Sequence, residues 1–410
     1  MSSISYLSKA RRETATPDPN GLSTYCRGLF SVLPRSDQRR WGEVYLRGLL
    51  DAPGRKTPTC ISEHVLGRPA VQQLQQFIGQ SPWECGPVRR YVAGRFSELR
   101  MPEAWSVDEA VIAKNGDRSV GVARQFAPSR QRTVNCQVAV AVSLVGGGVS
   151  LPVSWRLMLP QRWDSDERLR RQAHVPEQER SRPRWQYVLE ALDEMLDEWE
   201  LDPAPVLADW RHDTDPEPLL LGLEARGLGY LIDVSDRLGV TLPGRRHGTL
   251  GELARYAARG GERTPLAWQD AATGRMRRSQ FLTVPVHLGA GPGSPGPSAE
   301  RFRSQQRHLV VDWPFGRPAP RSYHLTNLSP RRLGETASLI RLRGLSRDSL
   351  GGMQELYGLG DFEGRSFRGW HHHATLVTAA FGFRTLRALR TLPADIEDVE
   401  EAMDVMYGGA

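Results

Sequence analysis

The spacing of hydrophobic residues changes along the chain and divides it into parts. In the first hundred residues they recur at intervals of three and four, as in DQRRWGEVYLRGLL (37–50), RPAVQQLQQFIGQ (68–80) and VRRYVAGRFSELRM (88–101). This spacing places them on one face of a helix. The pattern predicts an N-terminal helical domain over 23–101, after a loose polar tail over 1–22.

Valine-rich segments begin near residue 104. AWSVDEAVI (104–112), TVNCQVAVAVSLV (133–145) and LPVSWRLML (151–159) are typical of consecutive strands. A strongly amphipathic helix over 182–201 separates them from a short apolar strand, APVLAD (204–209).

The core continues with a helix over 216–227 and the strand GYLIDV (229–234). Strands alternating with helices predict a mixed α/β core, the first part of which spans 102–238. Residues 239–325 are rich in Gly, Pro and Arg with short strand-like segments, which indicates a β-rich insertion and not a continuation of the core. Helical spacing resumes over 326–390, and an acidic tail follows over 391–410.

Composition excludes several classes of protein. A mean hydropathy of −0.46 and the absence of an eighteen-residue apolar run exclude a membrane-spanning helix. The first twenty residues contain no apolar segment of the signal-peptide type, so we expect a cytoplasmic protein. The four cysteines are scattered without zinc-site spacing, and we expect no bound metal from them.

The chain carries a net charge of +7, from 54 basic and 47 acidic residues. Only Lys9, Lys56 and Lys114 of the basic residues are lysines; a GC-rich genome explains that ratio without any function. The excess of positive charge is compatible with a polyanionic partner.

Acidic residues stand near the ends of two predicted strands. Asp108 and Glu109 lie in the first strand, and Asp209 closes the fourth. Acids at the carboxyl ends of neighbouring strands converge in an open α/β sheet, and such clusters bind Mg²⁺. The alternative is a helix cap, because Asp209 and Asp213 precede a predicted helix.

Several segments of the sequence occur in an order that is typical of one protein family. These segments are LPRSDQRRWGEVYLRGLL, QQLQQFIGQSPW, DRSVGVARQF, NCQVAVAVSL, PVLADW and YGLGDFEGRSFRGWHHH. From about residue 30 to about 390 the chain resembles the DDE transposases of bacterial insertion sequences. The resemblance implies a ribonuclease H-like mixed sheet with flanking helices, and double-stranded DNA as the partner. It also implies a site where three acids hold two Mg²⁺ ions, which activate a water or a 3′-hydroxyl against a DNA phosphate. A homodimer is a further implication, since transposition joins paired DNA ends.

The three acidic positions of that family map onto Glu109, Asp209 and Arg347 of this chain. At the first position Glu109 replaces an aspartate, and Asp108 is expected on the other face of the strand. The second acid, Asp209, is present, but bulky residues follow it, with Arg211 and His212 among them.

The third position is the clearest departure. Counting back from GLGDFEGRSF places Arg347 where the family has glutamate, and neither Ser346 nor Asp348 restores the signature. The resemblance therefore implies a broken triad, and we expect Arg347 to pair with Asp209 or Glu109 in place of a metal. No cofactor is expected.

Three functions follow, each with its own residues. The first is a transposase-derived protein that binds DNA without normal strand cleavage or transfer. The second is a repurposed enzyme or small-anion binder with a metal-free pocket. The third is an active transposase that binds Mg²⁺ through displaced acids, with Glu355 as the third. Candidate pocket residues beside the triad positions are Asp108, Arg211, His212, Asp348 and Glu355. Candidate DNA-binding residues are Arg39, Arg40, Arg245, Arg246, Arg277 and Arg278.

The run His371–His372–His373 has the composition of a metal-binding tract. On a helix, consecutive side chains point in different directions, so three adjacent histidines cannot ligate one ion. We expect a structural role for them.

Overall fold

The fold is known from a computed structural model. The structure describes residues 19–391, apart from 128–129, 214, 242–246, 261–262, 270–275 and 289–306.

The N-terminal helices predicted from the three- and four-residue spacing are present. They are α1 (Pro19–Leu29), α2 (Ser36–Asp51), α3 (Pro58–Leu66), α4 (Val71–Gly79) and α5 (Cys85–Leu99). They pack against the C-terminal helix α12 (Phe367–Thr391); for example, the Tyr25 hydroxyl donates a hydrogen bond to the Ala379 carbonyl at 3.0 Å. The two ends of the described chain therefore share one hydrophobic core.

The described strands form one twelve-stranded sheet. They are β1 (Ala104–Ala113), β2 (Ala123–Ala127), β3 (Arg132–Gly146), β4 (Val149–Met158), β5 (Val206–Asp209), β6 (Tyr230–Val234), β7 (Gly239–Thr241), β8 (His247–Thr249), β9 (Thr264–Gln269), β10 (Met276–Leu288), β11 (Arg307–Pro314) and β12 (Ser322–Thr326). At its centre β1 lies between antiparallel β3 and parallel β5, and β6 runs parallel to β5. This is the mixed sheet of a ribonuclease H-like fold, as the sequence predicts.

Helices cover both faces of the sheet. They are α6 (Arg162–Ser165), α7 (Glu167–Gln172), α8 (Arg184–Asp193), α9 (Glu217–Ala225), α10 (Leu250–Ala257) and α11 (Leu333–Leu356). α8 continues as a single π-helical turn over Glu194–Glu198, and a 3₁₀ turn over Pro330–Arg332 leads into α11.

Alternation along the central strands assigns each residue to a face. Ala104, Leu207 and Leu231 form one apolar cluster with Leu339 of α11. Residues on the opposite face, such as Trp105, Val206 and Tyr230, join the main core, which includes residues of α8 and α9. The face that α11 covers is the one that carries the candidate site.

The β-rich segment after residue 238 differs from the prediction of an insertion separate from the core. Its strand β12 pairs antiparallel with β6, and β11 and β10 continue the same sheet outward. The edge of β6 would otherwise present unpaired backbone groups, which β12 satisfies. Within the described residues, no helix is long and apolar enough to cross a bilayer.

Candidate functional site

Three aspartates lie side by side at the centre of the sheet. Asp209 of β5 is in register with Asp233 of β6. Val107 of β1 is in register with Ala208 of β5, so Asp108 comes next to Asp209 one residue later. Register partners in parallel strands point to the same face, and here that face is covered by α11.

Asp108 is fully enclosed by donors. Its Oδ1 accepts a hydrogen bond from Arg343 Nη2 at 3.0 Å. Its Oδ2 accepts from the hydroxyls of Ser106, at 2.9 Å, and Ser346, at 2.6 Å. Both Arg343 and Ser346 come from α11, which therefore binds β1 through polar contacts at this point.

Asp233 shares the same arginine. Arg343 Nη1 donates to its Oδ2 at 3.0 Å, so one buried guanidinium bridges two carboxylates. The other oxygen lies 2.5 Å from Nδ1 of His324, whose Nε2 is 2.8 Å from the Ser322 hydroxyl. The contact between Asp233 and His324 is close but poorly aligned as a hydrogen bond.

Asp209 binds two further arginines. The backbone N–H and Nε of Arg211 donate to its Oδ1 at 3.1 and 2.9 Å, and Arg211 Nη2 donates to Oδ2. Arg347 Nη2 lies 3.5 Å from the same Oδ2 and 3.9 Å from Asp233. Neither Asp209 nor Asp213 caps the following helix, which begins at Glu217 after Pro216.

These contacts fix the protonation of the acids. Burial acts to raise the pKa of Asp209, but hydrogen bonds from Arg211 and the charge of Arg343 outweigh it and bring the pKa well below its usual range. Burial also acts to raise the pKa of Asp233, and the neighbouring His324 and Arg343 lower it overall. Both carboxylates are therefore ionised at neutral pH.

Glu109, expected at the first triad position, is not part of this cluster. It lies on the opposite face of β1, with Trp105 and Val107, and its Oε1 is 2.9 Å from Nε of Arg184. Burial raises the pKa of Glu109, partly offset by Arg184. The face with Asp209 and Arg347 carries Asp108 instead, contrary to the expectation that Asp108 points away.

Arg184 contacts several groups on that opposite face. It donates to Asp213 at 2.7 Å and to the Asp209 carbonyl at 2.8 Å, and its guanidinium lies 4.0 Å from the centre of the Trp210 ring. Trp210 thus packs beside an arginine on the face away from the three aspartates.

Three other predicted pocket residues lie apart from the aspartates. His212 is exposed and makes an edge contact with the Phe126 ring. Asp348 is exposed on α11. Glu355 is exposed eight residues beyond Arg347, about 12 Å along the helix axis, so the structure does not bring it to Asp209.

The predicted DNA-binding arginines are only partly within the described residues. Arg39 and Arg40 are exposed on α2, where Arg39 also donates to the Leu33 carbonyl at 2.6 Å. Arg278 is exposed on β10. Arg245 and Arg246 lie outside the described residues, as does the side chain of Arg277.

The three histidines of α12 have separate partners, as expected for a structural role. His373 accepts from the Tyr45 hydroxyl at 2.9 Å and donates to the Gly358 carbonyl at 2.8 Å. Both ring nitrogens of His372 lie 2.8 Å from backbone carbonyls. Burial nevertheless lowers its pKa to about 4, so the neutral ring donates to only one of the two carbonyls. No cluster of His, Cys, Asp and Glu in the described part of the chain has the arrangement of a metal site.

The donor set does not fit the two divalent cations that the resemblance implies. All six oxygens of the three aspartates already lie within 3.5 Å of a nitrogen or hydroxyl oxygen of the protein. Their three negative charges are matched by the guanidiniums of Arg211, Arg343 and Arg347. Two Mg²⁺ ions would add four positive charges to a site that is already neutral.

Three residues of the site were not predicted from the sequence: Asp233, His324, and Arg343, which bridges Asp108 and Asp233. Asp233 interrupts the apolar strand GYLIDV, and an acid in a buried strand is a signal that could have identified it. Pairing of β12 with β6 gives no comparable signal, because it joins residues about ninety positions apart.

Comparison with known proteins agrees with this architecture. A family model described as DDE superfamily endonuclease matches residues 28–290, which is well over half of the chain and ends before α11. No curated protein matches the sequence. Together with the central sheet and its aspartates on β1 and β5, this match shows that the chain belongs to the DDE endonuclease superfamily.

Proposed function

We propose that this chain is a transposase-derived protein that binds double-stranded DNA and lacks metal-dependent strand cleavage or transfer. One observation carries the proposal: guanidiniums, hydroxyls and an imidazole contact every oxygen of the three central aspartates. Arg347, which the resemblance aligns with the family's glutamate, reaches Asp209, so the site is neutralised by the protein's own side chains.

DNA binding rests on family membership and on charge. The superfamily acts on DNA, and the chain has an excess of seven positive charges. Exposed arginines such as Arg39, Arg40 and Arg278 are suited to contact phosphates, which would make affinity fall steeply with salt.

The experiment has two arms on the purified full chain. Fluorescence anisotropy with a mixed-sequence duplex at several salt concentrations tests binding, and incubation of labelled duplex with Mg²⁺ or Mn²⁺ tests cleavage. We expect salt-dependent binding without cleavage. Cleavage that is lost in Asp209→Ala would instead support the active transposase with displaced acids. No binding at low salt would remove DNA as the partner.

A small-anion binder is the second candidate, favoured by the accessibility of two guanidiniums. The side chains of Arg211 and Arg347 are 45% and 51% exposed while they hold Asp209, so they present further N–H groups to solvent. Absence of duplex binding, together with saturable binding of inorganic phosphate that Arg347→Gln abolishes, would favour this function.

A further inference from the structure

A second candidate site is a cavity of about 390 Å³ between α5, β4, α8 and the start of α12. None of the three central aspartates lines it. Its volume is near the lower end of the range for small-molecule sites, about 300–1,000 Å³. The cavity is therefore large enough for a metabolite and separate from the aspartates.

A buried cation, Arg89, lines this cavity. Arg89 is 2% exposed. Its Nε donates to the Thr375 hydroxyl at 2.8 Å, its Nη1 to the Trp155 carbonyl at 3.3 Å, and its Nη2 to the His371 carbonyl at 3.4 Å. Among the described residues, no carboxylate comes within ion-pair distance of Arg89. A buried guanidinium held only by neutral groups favours an anionic ligand.

The groups nearest to Arg89 offset only part of the cost of burying its charge: burial lowers the pKa of Arg89, although the charge of Glu194 acts to raise it. Burial, and then the charges of Arg89 and Arg156, lower the pKa of His371 well below its usual range, so this histidine is neutral. Glu194 is already paired with Arg156 at 2.9 Å. Helix α5 begins at Cys85 on the cavity wall, and its N-terminus adds positive potential.

The cavity wall also carries an excess of negative charge. Glu179 and Glu190 both line it, and both bind the single guanidinium of Arg182, at 3.2 and 2.6 Å. Two carboxylates that share one cation leave one excess negative charge. The cavity wall therefore carries both a positive group and a negative group.

The remaining wall is apolar and includes Leu157 and the aromatic rings of Tyr187 and Phe367. A ligand that complements all three features has a carboxylate, an ammonium group and a hydrophobic body. Of small metabolites, an α-amino acid with an apolar side chain has these groups on one compact molecule.

We propose that this cavity binds a free apolar α-amino acid. Its carboxylate pairs with Arg89, its ammonium group pairs with Glu179 and Glu190, and its side chain packs against Tyr187 and Phe367. The proposal is independent of DNA binding, and it assigns a ligand to a part of the fold that the central aspartates do not use.

Isothermal titration of the full chain with L-phenylalanine, L-leucine and L-methionine tests this assignment. We expect saturable binding of at least one of them. With phenylalanine as the reference, phenethylamine and 3-phenylpropionate should each bind at least about tenfold more weakly, because each loses one charged contact.

Two variants locate the binding. Glu190→Gln changes a partly exposed side chain and should weaken amino-acid binding by about tenfold while leaving 3-phenylpropionate unaffected. Arg89→Gln should abolish binding, with its circular dichroism spectrum reporting whether it folds. Glu200→Gln, an exposed residue paired with Arg90, is the matched control and should bind like the wild type. The assignment is overturned if none of the three amino acids saturates the protein, or if Glu190→Gln leaves their affinity unchanged.

Discussion

Arg347 Nη2 lies 3.5 Å from Oδ2 of Asp209, at the position where the resemblance to DDE transposases implies a glutamate. A metal-binding acid at this position would add negative charge to the site, whereas the guanidinium of Arg347 neutralises the charge of Asp209. Arg343, one turn earlier on α11, bridges Asp108 and Asp233 in the same way. Helix α11 thus supplies internal counter-ions to the three aspartates.

The bridge by Arg343 should dominate local stability. Arg343→Met leaves Asp108 and Asp233 buried without their shared counter-charge, and we expect a loss of about 3–5 kcal/mol in the free energy of unfolding. Urea denaturation measures this loss. Arg341→Met, an exposed change on the same helix, is the control and should cost less than about 0.5 kcal/mol. Equal effects of the two changes would contradict the role of the bridge.

Replacing Arg347 by glutamate should create a weak metal site. In Arg347→Glu a fourth carboxylate replaces the guanidinium that lies 3.5 Å from Asp209. Because the carboxylates repel each other, the variant should be less stable than the wild type. Mg²⁺ should stabilise it by binding to these carboxylates. Thermal unfolding with and without Mg²⁺ gives the comparison. Arg347→Gln, which removes the cation without adding an acid, should show no such gain. A wild-type protein that Mg²⁺ stabilises as much as Arg347→Glu would argue against internal neutralisation.

The histidines of α12 should make the protein acid-sensitive. Burial lowers the pKa of His373 to about 4 in the folded chain, from 6.5. Between those values the unfolded chain binds a proton that the folded chain excludes, so stability falls as the pH drops from about 6.5 to about 4. Each such histidine contributes about 1.4 kcal/mol per pH unit in that window.

Denaturation at several pH values measures this slope. His373→Gln keeps a side chain that can hydrogen-bond to the Tyr45 hydroxyl or the Gly358 carbonyl, but this side chain does not titrate. In the variant the free energy of unfolding should therefore change by about 1.4 kcal/mol less per pH unit, which corresponds to one proton. An unchanged slope would show that His373 does not titrate in this way.

The two faces of β1 should respond differently to loss of charge. Asp108→Asn removes a carboxylate held by Arg343 and two serines, whereas Glu109→Gln leaves Arg184 with Asp213 as a remaining partner. We expect the first change to cost about 2–4 kcal/mol and the second less than about 1.5 kcal/mol. Thermal unfolding of the two variants measures which change costs more stability. A larger loss in Glu109→Gln than in Asp108→Asn would contradict this assignment of faces.

The fold was largely predictable, because each core strand and helix has its own local pattern. The Val-rich segments became β1, β3 and β4, and the amphipathic helix became α8 with its π turn. The pairing of β12 with β6 was not predictable, since it depends on which open strand edge needs a partner, and no local pattern encodes that choice.

The candidate site was predictable only in part. The pairing of Arg347 with Asp209, expected from the resemblance, is present at 3.5 Å. Glu109 and Asp108 were misassigned, although the alternation of Ser106 and Asp108 against Trp105 and Val107 already separates polar from apolar positions. Arg184, which captures Glu109, comes from a distant helix and has no local signal.

Titration of the wild-type protein with Mn²⁺, followed by electron paramagnetic resonance, tests the central claim most directly, because free and bound Mn²⁺ give different signals. If the guanidiniums occupy the aspartates, the wild type should bind no more Mn²⁺ than Asp209→Asn. Stoichiometric Mn²⁺ binding by the wild type that Asp209→Asn loses would contradict the account and would point to a functional metal site.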